Sequence, residues 1–489
     1  MGTIARQTIQ NSFFSYLGVI LGGVNIAILF PRIFSEEQVG LINILLAVSA
    51  ILAQFSTLGV NGVTNYFFHH FREKASRHKG YFSLIAVVVV VGFSLFLIVF
   101  GFFGDQILSS RAEESPLIGK YGFYVIPLTF FTLSFAVVDI YAAVLSKSVI
   151  GVFMQEFVLR IINLGLSLLY LFNVLDFASF LFLYVLALGL PPLVIILELY
   201  RTGNISLKRP DKELLSIHGL KMISVGAFYI LSGFGNMLIT YIDRYMINFF
   251  LGLGATGIYS INNYVGTLVQ IPRRAMGKIA ATFLAGLWTK NDREQLQDIY
   301  QKSVLSQLAI GVLIFIGIWV NLDAVFHILP SSYESGKWVI FYIGLTNLLH
   351  CSIGLGGVIV VTSKHYKLNT YLTFILGVLA IGTNLIFIPI WGITGAAFAS
   401  ALSKLIYVAL NMVVLRYKLG IHPLRWSHLT IAIAGVLSFF IASLINIQIN
   451  WILLLLIKSI TISVTYLFFL KIFRVIPDFK EVLSSLWRR

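Results

Sequence analysis

The chain has 489 residues and a formal net charge of +15, and 58% of its residues are hydrophobic whereas only 11% are charged. Its mean hydropathy is +0.90. Soluble domains are about half apolar and about a quarter charged, so this composition excludes a soluble globular protein and indicates a polytopic membrane protein built of helices.

Apolar runs recur along the whole chain, and each is long enough to cross about 30 Å of hydrocarbon. The first run follows residues 1–11 without a signal-peptide cleavage site, so we expect it to be retained as a helix. We predict an all-α fold with fourteen spans, numbered from the N-terminus: 10–30, 38–65, 80–103, 120–145, 152–173, 176–200, 217–249, 254–285, 299–323, 335–361, 367–388, 393–416, 428–446 and 450–474.

Basic residues are concentrated in alternate loops. With the N-terminus inside, the cytoplasmic segments hold 24 of the 35 Lys and Arg residues, and the opposite loops hold four. The positive-inside rule therefore predicts that both termini are cytoplasmic. Because most of the basic excess is an orientation signal, it argues against a nucleic-acid partner.

The chain repeats itself at an offset of 217 residues. LFPRIFSEEQVGLINI lies between spans 1 and 2, NFFLGLGATGIYSI lies between spans 7 and 8, and Gly40 aligns with Gly257. Each repeat contains six spans, an even number, so both repeats have the same orientation in the membrane. We therefore predict a six-helix lobe over 1–210, a second six-helix lobe over 211–420, and two further helices with a cytoplasmic tail over 421–489.

Span 8 carries three cations close together. Between Arg244 and Asp292 the sequence contains no acid, yet it contains Arg273, Arg274 and Lys278. Each embedded charge costs about 2.5–3.5 kcal/mol on insertion scales, and arginine donates paired hydrogen bonds that suit phosphate oxygens. This pattern predicts an anion site, the alternative being that acids on spans 4 or 7 neutralise the charges. The same helix face continues upward as a polar stripe of Asn263, Thr267 and Gln270.

Other spans carry matching polar stripes, which include Asn25 on span 1 and Gln54 and Asn61 on span 2. Lys404 lies at mid-depth in span 12. Each stripe by itself is equally typical of helix packing in membranes. Together with span 8, they predict the polar walls of a cavity that suits a sugar phosphate.

The embedded acids are fewer than the embedded bases. Glu156 and Arg160 are four residues apart and share a helix face, and Asp139 and Arg160 lie at similar depths on neighbouring spans. We expect either a salt-bridged cluster within the first lobe or a proton-coupling site. Asp243 either pairs with another helix or holds a cation.

Three segments resemble bacterial polysaccharide flippases of the Wzx type, in the MOP exporter superfamily. PRIFSEEQVGLINILLAVSAILAQFSTLGVNGVTNYF, with Arg32, Gly40 and Gly59, resembles the opening of these flippases. IDRYMINFFLGLGATGIYSINNYVG resembles their junction of spans 7 and 8, and NLIFIPIWGITGAAFASALS resembles their turn between spans 11 and 12. The resemblance covers almost the whole chain.

This resemblance implies a V-shaped pair of lobes that work by alternating access, without a cofactor and without enzyme activity. It implies that an oligosaccharide linked by diphosphate to a polyprenol moves from the inner to the outer leaflet of the bacterial inner membrane. Arg273, Arg274 and Lys278 would hold the diphosphate, with Lys404 as a further candidate. Polysaccharide polymerase machinery would then receive the product.

Related flippases also use a cation or the membrane potential, so the resemblance implies coupling to Na⁺ or H⁺. Asp243, with Asn384 and Thr394 as oxygen donors, resembles a sodium site of lipid II flippases but lacks one acid. Asp139 and Arg160 are the candidates for coupling in the first lobe.

Three alternatives are weighed against this function. A multidrug exporter of the same superfamily would bind organic cations, which a cationic helix repels at close range, and it would need an acid within span 1. A lipid II flippase is chemically closer. A membrane glycosyltransferase or polymerase would need a sizeable loop with acids for metal or general-base chemistry, whereas the loops here are short and mostly basic.

Overall fold

The computed structural model describes residues 3–73, 76–108, 115–273, 276, 284, 287–288, 293–422, 426–473 and 475. Within these ranges the chain is helical and contains no strand. Eleven of the helices described there, or twelve if a bent pair counts as one span, are long and apolar enough to cross a membrane. The prediction of an all-α multi-pass membrane protein is therefore confirmed, and the number fourteen stays a prediction.

The chain divides into two compact units, residues 1–257 and 258–489. Short π-helical turns interrupt two helices of the first unit, at Val24–Leu29 and Phe153–Val158. The α-helices that begin in this unit are α1 (Thr3–Gly23), α2 (Phe30–Ile33), α3 (Glu36–Ser56), α4 (Val60–Phe71), α5 (Tyr81–Leu108), α6 (Pro116–Tyr121), α7 (Val125–Val144), α8 (Ser148–Val152), α9 (Leu159–Leu171), α10 (Phe177–Ala187), α11 (Leu190–Arg201) and α12 (Lys212–Thr267).

The second unit is formed by the end of α12 and the helices after it. A 3₁₀ turn at Leu268–Gln270 follows α12, and another covers Ser331–Gly336. The further α-helices are α13 (Arg293–Val320), α14 (Leu322–Ile328), α15 (Lys337–Cys351), α16 (Gly356–Thr362), α17 (Tyr366–Val414), α18 (Trp426–Ser443) and α19 (Trp451–Ile472).

Two long helices are each divided by a glycine. In α12, Gly252 has φ 84° and ψ −176°, and in α17, Gly392 has φ 59° and ψ −137°. Side chains with a Cβ avoid this region of backbone space, so only glycine adopts it readily. Both breaks coincide with the connections that the sequence predicts, between spans 7 and 8 and between spans 11 and 12.

The first helix packs along the continuous helix formed by α8 and α9. Asn11 Nδ2 donates a hydrogen bond to Ser148 Oγ over 3.2 Å. About three turns further on, a side chain at Gly22 would contact the guanidinium of Arg160. Residue numbers increase in the same direction along both helices at these two contacts, so the helices run parallel. The predicted orientation of spans 1 and 5 requires this. Small residues permit this close approach in membranes.

The two C-terminal helices pack against α13 in the second unit. The Tyr466 hydroxyl donates to the carbonyl of Ala309 over 2.9 Å, and Asn321 Nδ2 donates to Ser459 Oγ over 3.4 Å. A buried apolar cluster joins α13, α18 and α19. The last two predicted spans are thus an integral part of this unit.

Candidate functional site

The predicted cationic helix can be followed as far as Arg273, whose side chain is half-buried. Arg274 and Lys278 lie outside the described residues. Just upstream, the helix tightens into the 3₁₀ turn at Leu268–Gln270. Pro272 follows this turn, and proline both lacks an N–H donor and crowds the turn before it. The irregular turn thus lies just before a proline.

The polar stripe above Arg273 is half-buried along its length, at Asn263, Thr267 and Gln270. Thr267 Oγ1 donates to the carbonyl of Tyr264 over 2.7 Å, so its hydroxyl hydrogen is used within its own helix. The side-chain amides of Asn263 and Gln270 form no hydrogen bond with any residue that the structure describes, so their donors and acceptors lie on a partly accessible face.

Arg273 belongs to a cluster of basic side chains within the second unit. Lys404 is buried, and its Nζ lies 4.9 Å from the centre of the Tyr407 ring. The His350 ring packs edge-on against the same tyrosine, with 6.2 Å between ring centres. The charge of Arg273 acts on Lys404, His350 and Tyr407. Spans 8, 10 and 12 thus each bring one basic group to this place.

The helix of span 10 is broken beside this cluster. α15 ends at Cys351 and α16 starts at Gly356, and the two are bent by 50° relative to each other. Gly354 at the break has φ 47°. Broken helices inside a membrane expose backbone groups and are tolerated where they line a cavity or are covered by protein, and they often form substrate sites.

Lys404 carries the least compensated charge of the cluster. Its exposed fraction is 8%, and among the residues that the structure describes it forms neither an ion pair nor a hydrogen bond. Its described partner is the face of Tyr407, a cation–π contact. A buried ammonium held only by a ring face is poorly compensated, so the site suits an anion. His350 was not predicted as a site residue, because a single histidine in an apolar helix shows no sequence pattern that marks it as functional.

The polar residues predicted for the first unit have different surroundings. Asn25 is buried within the π-helical turn, and its Oδ1 accepts no hydrogen bond in the described part of the chain. Asn61 is half-buried and its Oδ1 is likewise without a donor. Gln54 packs against Gly233 of α12, where a side chain in place of the glycine would overlap its amide. Gln54 thus lies at a helix contact, and its role in lining a cavity stays a prediction.

The acidic cluster predicted in the first unit is only partly present. Glu156 Oε2 and Arg160 Nη2 are 3.8 Å apart, which confirms the i, i+4 pair. The expected cluster of Asp139 with Arg160 is wrong: Asp139 Oδ1 lies against Gly151 and is buried without a hydrogen bond from any described residue. Matching depth did not bring the two together, because Arg160 is directed towards Gly22 of α1 instead.

The predicted sodium ligands belong to different units. Asp243 is buried in α12 in the first unit, and its neighbour Arg244 donates from Nη1 to the carbonyl of Thr240 over 3.1 Å. Asn384 is fully buried in α17 in the second unit, where Thr394 also lies. Within the described ranges, no group of three or more His, Cys, Asp or Glu side chains is arranged to hold a metal ion.

Comparison with known proteins identifies the family of the chain. A family model described as "Polysaccharide biosynthesis protein" matches residues 4–276, more than half of the chain. The chain belongs to this polysaccharide biosynthesis protein family. No curated protein matches the chain.

Solved structures show the same fold in several transporters. A lipid II flippase, MurJ, in an inward closed conformation matches with a TM-score of 0.75 at 14% identity, over 96% of this chain and 98% of MurJ. An inward-facing multidrug resistance transporter of the MATE family matches with a TM-score of 0.62 at 12% identity, over 87% and 98%. A MOP superfamily transporter from Pyrococcus furiosus matches with a TM-score of 0.53 at 12% identity, over 88% and 95%.

These matches confirm, at the level of family and fold, the resemblance seen in the sequence. The polysaccharide family member has the helical fold that MurJ and the MATE transporters share. At such low identity the solved structures establish architecture alone. The substrate must therefore be argued from the site.

Proposed function

We propose that this family member is a flippase for a polyprenyl-diphosphate-linked oligosaccharide, moving it from the cytoplasmic to the outer leaflet of the bacterial inner membrane. The observation that carries the proposal is Lys404, buried and without an ion-pair partner in the described chain, in the field of Arg273. Like charges brought together in a medium of low dielectric constant repel strongly. A diphosphate would supply the counter-charge that Lys404 lacks among the described residues.

The two kinds of base would hold the diphosphate differently. Arg273 would donate paired hydrogen bonds to one phosphate, and Lys404 would act as a compact point charge on the other. Arg274 and Lys278 join them in this proposal. The polyprenol stays among the lipid tails because it is apolar, and the glycan follows the half-buried polar stripe of span 8. In this proposal both termini lie in the cytoplasm, as the loop charges favour, and polymerase machinery on the far side would receive the glycan.

Ion coupling is part of the proposal. Asp139 carries a buried carboxylate oxygen that no described residue satisfies, so it is the candidate for H⁺ coupling in the first unit. Asp243 is the second candidate, through Na⁺ rather than H⁺. Membrane-embedded acids commonly mark ion and proton pathways.

A lipid II flippase is the second candidate function, and the similarity in fold to MurJ favours it. It shares the diphosphate and differs in the glycan. The multidrug alternative fits poorly because the charges of Arg273 and Lys404 repel organic cations. The family and fold are those of transporters, which disfavours the glycosyltransferase alternative.

The test uses the purified full chain in vesicles that contain a polyprenyl-diphosphate oligosaccharide in one leaflet. Arg273→Gln and Lys404→Gln should each slow its movement at least about tenfold, the cost of about 1.4 kcal/mol of lost binding. Lys458→Gln is the matched control, since Lys458 is an embedded, half-buried lysine of α19. Equal movement in all three variants would contradict the assigned site, and no movement in the wild type would contradict the function.

A further inference from the structure

A cavity in the second unit is lined by none of the residues of the cationic cluster. Its volume is about 840 Å³, and it is formed where α13 ends, at α14, and at the start of α15. We call it the Trp319–Trp338 cavity. The side chains that give it its chemistry are Trp319, Asp323, His327, Glu334, Lys337 and Trp338.

One wall of the Trp319–Trp338 cavity is aromatic. The ring centres of Trp319 and Trp338 are 5.6 Å apart, and both rings pack against Phe341, at 4.9 and 5.7 Å. Trp338 is still 43% exposed. Packing on Phe341 holds both indoles in position, and both line the cavity.

The remaining walls mix the apolar side chains of Val320, Leu322 and Phe326 with polar and charged ones. Asp323, Glu334 and Lys337 are exposed, and within the described chain none of them forms an ion pair or a side-chain hydrogen bond. Ionised carboxylates are pure hydrogen-bond acceptors, and an ammonium donates three hydrogen bonds. The cavity therefore offers acceptors and a donor around an aromatic wall.

We propose that the Trp319–Trp338 cavity binds the glycan of the transported lipid. A sugar ring has an apolar C–H face and an edge of hydroxyl groups, so it complements an indole face flanked by carboxylates. The volume lies within the range of about 300–1,000 Å³ typical of small-molecule sites, which leaves room for more than one sugar ring. This inference rests on the proposed function.

The side of the membrane on which the Trp319–Trp338 cavity lies indicates when in transport the glycan would bind there. Spans 9 and 10 meet at this cavity, and the loop charges predict that their connection faces outward. The cavity therefore lies where the glycan arrives after movement, opposite to the cytoplasmic side on which the lipid-linked sugar is loaded. Binding there would draw the glycan out of the transport path and hold it for the next enzyme.

Tryptophans at a membrane interface often serve only as anchors. The test must therefore distinguish a membrane anchor from a glycan-binding site. An anchor would need no carboxylates beside it. Trp391 provides the matched control: it is 50% exposed, belongs to the same unit, packs on Phe387 and Phe398, and does not line the cavity.

The experiment measures the anisotropy of a fluorescent oligosaccharide that binds the full chain in nanodiscs. The probe is the repeat unit released by mild acid from the polyprenol of the strain that carries the protein, labelled at its reducing end. Trp338→Ala and Glu334→Gln should each weaken binding about tenfold, whereas Trp391→Ala should not change it. Melting temperatures of the three variants show whether each is folded.

Saturable binding with this pattern supports the proposal. The absence of saturable binding to the wild type, or equal binding by Trp338→Ala and Trp391→Ala, overturns it. Movement of the intact lipid between leaflets is measured on the same preparations. Binding without movement would contradict the proposed function alone, and movement without binding would contradict this inference alone.

Discussion

Gly40 and Gly257 face each other where α3 and the second part of α12 cross. A Cβ on Gly40 would overlap the carbonyl of Leu253, and a Cβ on Gly257 would overlap the carbonyl of Glu36 and lie 3.1 Å from the Gly40 nitrogen. Leu253 and Glu36 are 217 positions apart, as are the two glycines. The contact is therefore reciprocal, and the sequence repeat is expressed as a symmetric pair of glycine–carbonyl contacts within the first unit.

Adding one methyl group at this crossing should force the helices apart. We expect Gly40→Ala and Gly257→Ala each to destabilise the protein by about 1–3 kcal/mol, the usual cost of overpacking. The obstacle is backbone carbonyl, which cannot rotate away as a side chain can. Thermal unfolding in detergent measures the effect.

Gly254→Ala is the matched control, because it lies one turn from Gly257 and the nearest atom to its Cβ is Glu37 Cγ at 3.9 Å. This variant should be neutral or slightly stabilising, since alanine favours the helix. Equal losses at Gly254 and Gly257 would show that the crossing is not tightly packed.

Removal of the buried charge at Lys404 should stabilise the protein while impairing transport. Lys404→Met keeps the length of the side chain and its contact with Tyr407, and it removes an ammonium without a described counter-ion, so we expect a gain of up to about 3 kcal/mol. The melting temperature and the lipid movement are measured together, with Lys458→Met as the control. A fall in both would indicate that Lys404 has a structural partner.

Hydropathy and charge were enough to predict most of the architecture, because the bilayer and the water around it select which segments are apolar and which are charged, whatever the details of helix packing. The spans around Gly252 and Gly392 were separated correctly, since apolar runs and a glycine mark each connection. Arg273 was recognised because an arginine in an apolar run is costly wherever it points.

Other features depend on how helices rotate about their axes, which hydropathy does not record. Asp139 and Arg160 lie at similar depths but face different neighbours. His350 joins the cationic cluster only because α15 directs it at Tyr407. No proline in the sequence marks the 50° break after Cys351. None of these relations has a periodic signal in the sequence.

A histidine cluster at the end of α4 should make stability depend on pH. The ring centres of His70 and His69 are 3.8 Å apart, and those of His70 and His218 are 4.3 Å apart. Desolvation, and then repulsion from His69 and His218, lowers the pKa of His70 below 6.5. The folded protein thus binds this proton more weakly than the unfolded chain, so stability should fall as the pH drops below 6.5.

The measurement is the melting temperature between about pH 5 and 8, where histidines titrate. His70→Gln should flatten the acid side of the profile. His422→Gln is the control, since that side chain is exposed and its backbone, which accepts from Gln297, is unchanged. Identical slopes in both variants would exclude the cluster as the cause.

The turn at Gly392 should tolerate no side chain, and a second glycine of the same helix makes the prediction specific. Gly392 has φ 59° and ψ −137°, so Gly392→Ala should cost about 1–3 kcal/mol of backbone strain. Gly382→Ala should be neutral or stabilising, because no atom outside its own helix lies within 4 Å of its Cβ and alanine favours a helix. If Gly392→Ala melts with the wild type while Gly382→Ala does not, the connection between spans 11 and 12 is not the sharp reversal that the backbone angles describe. Loss of stability at Gly392 alone ties this connection to a conformation that only glycine can hold.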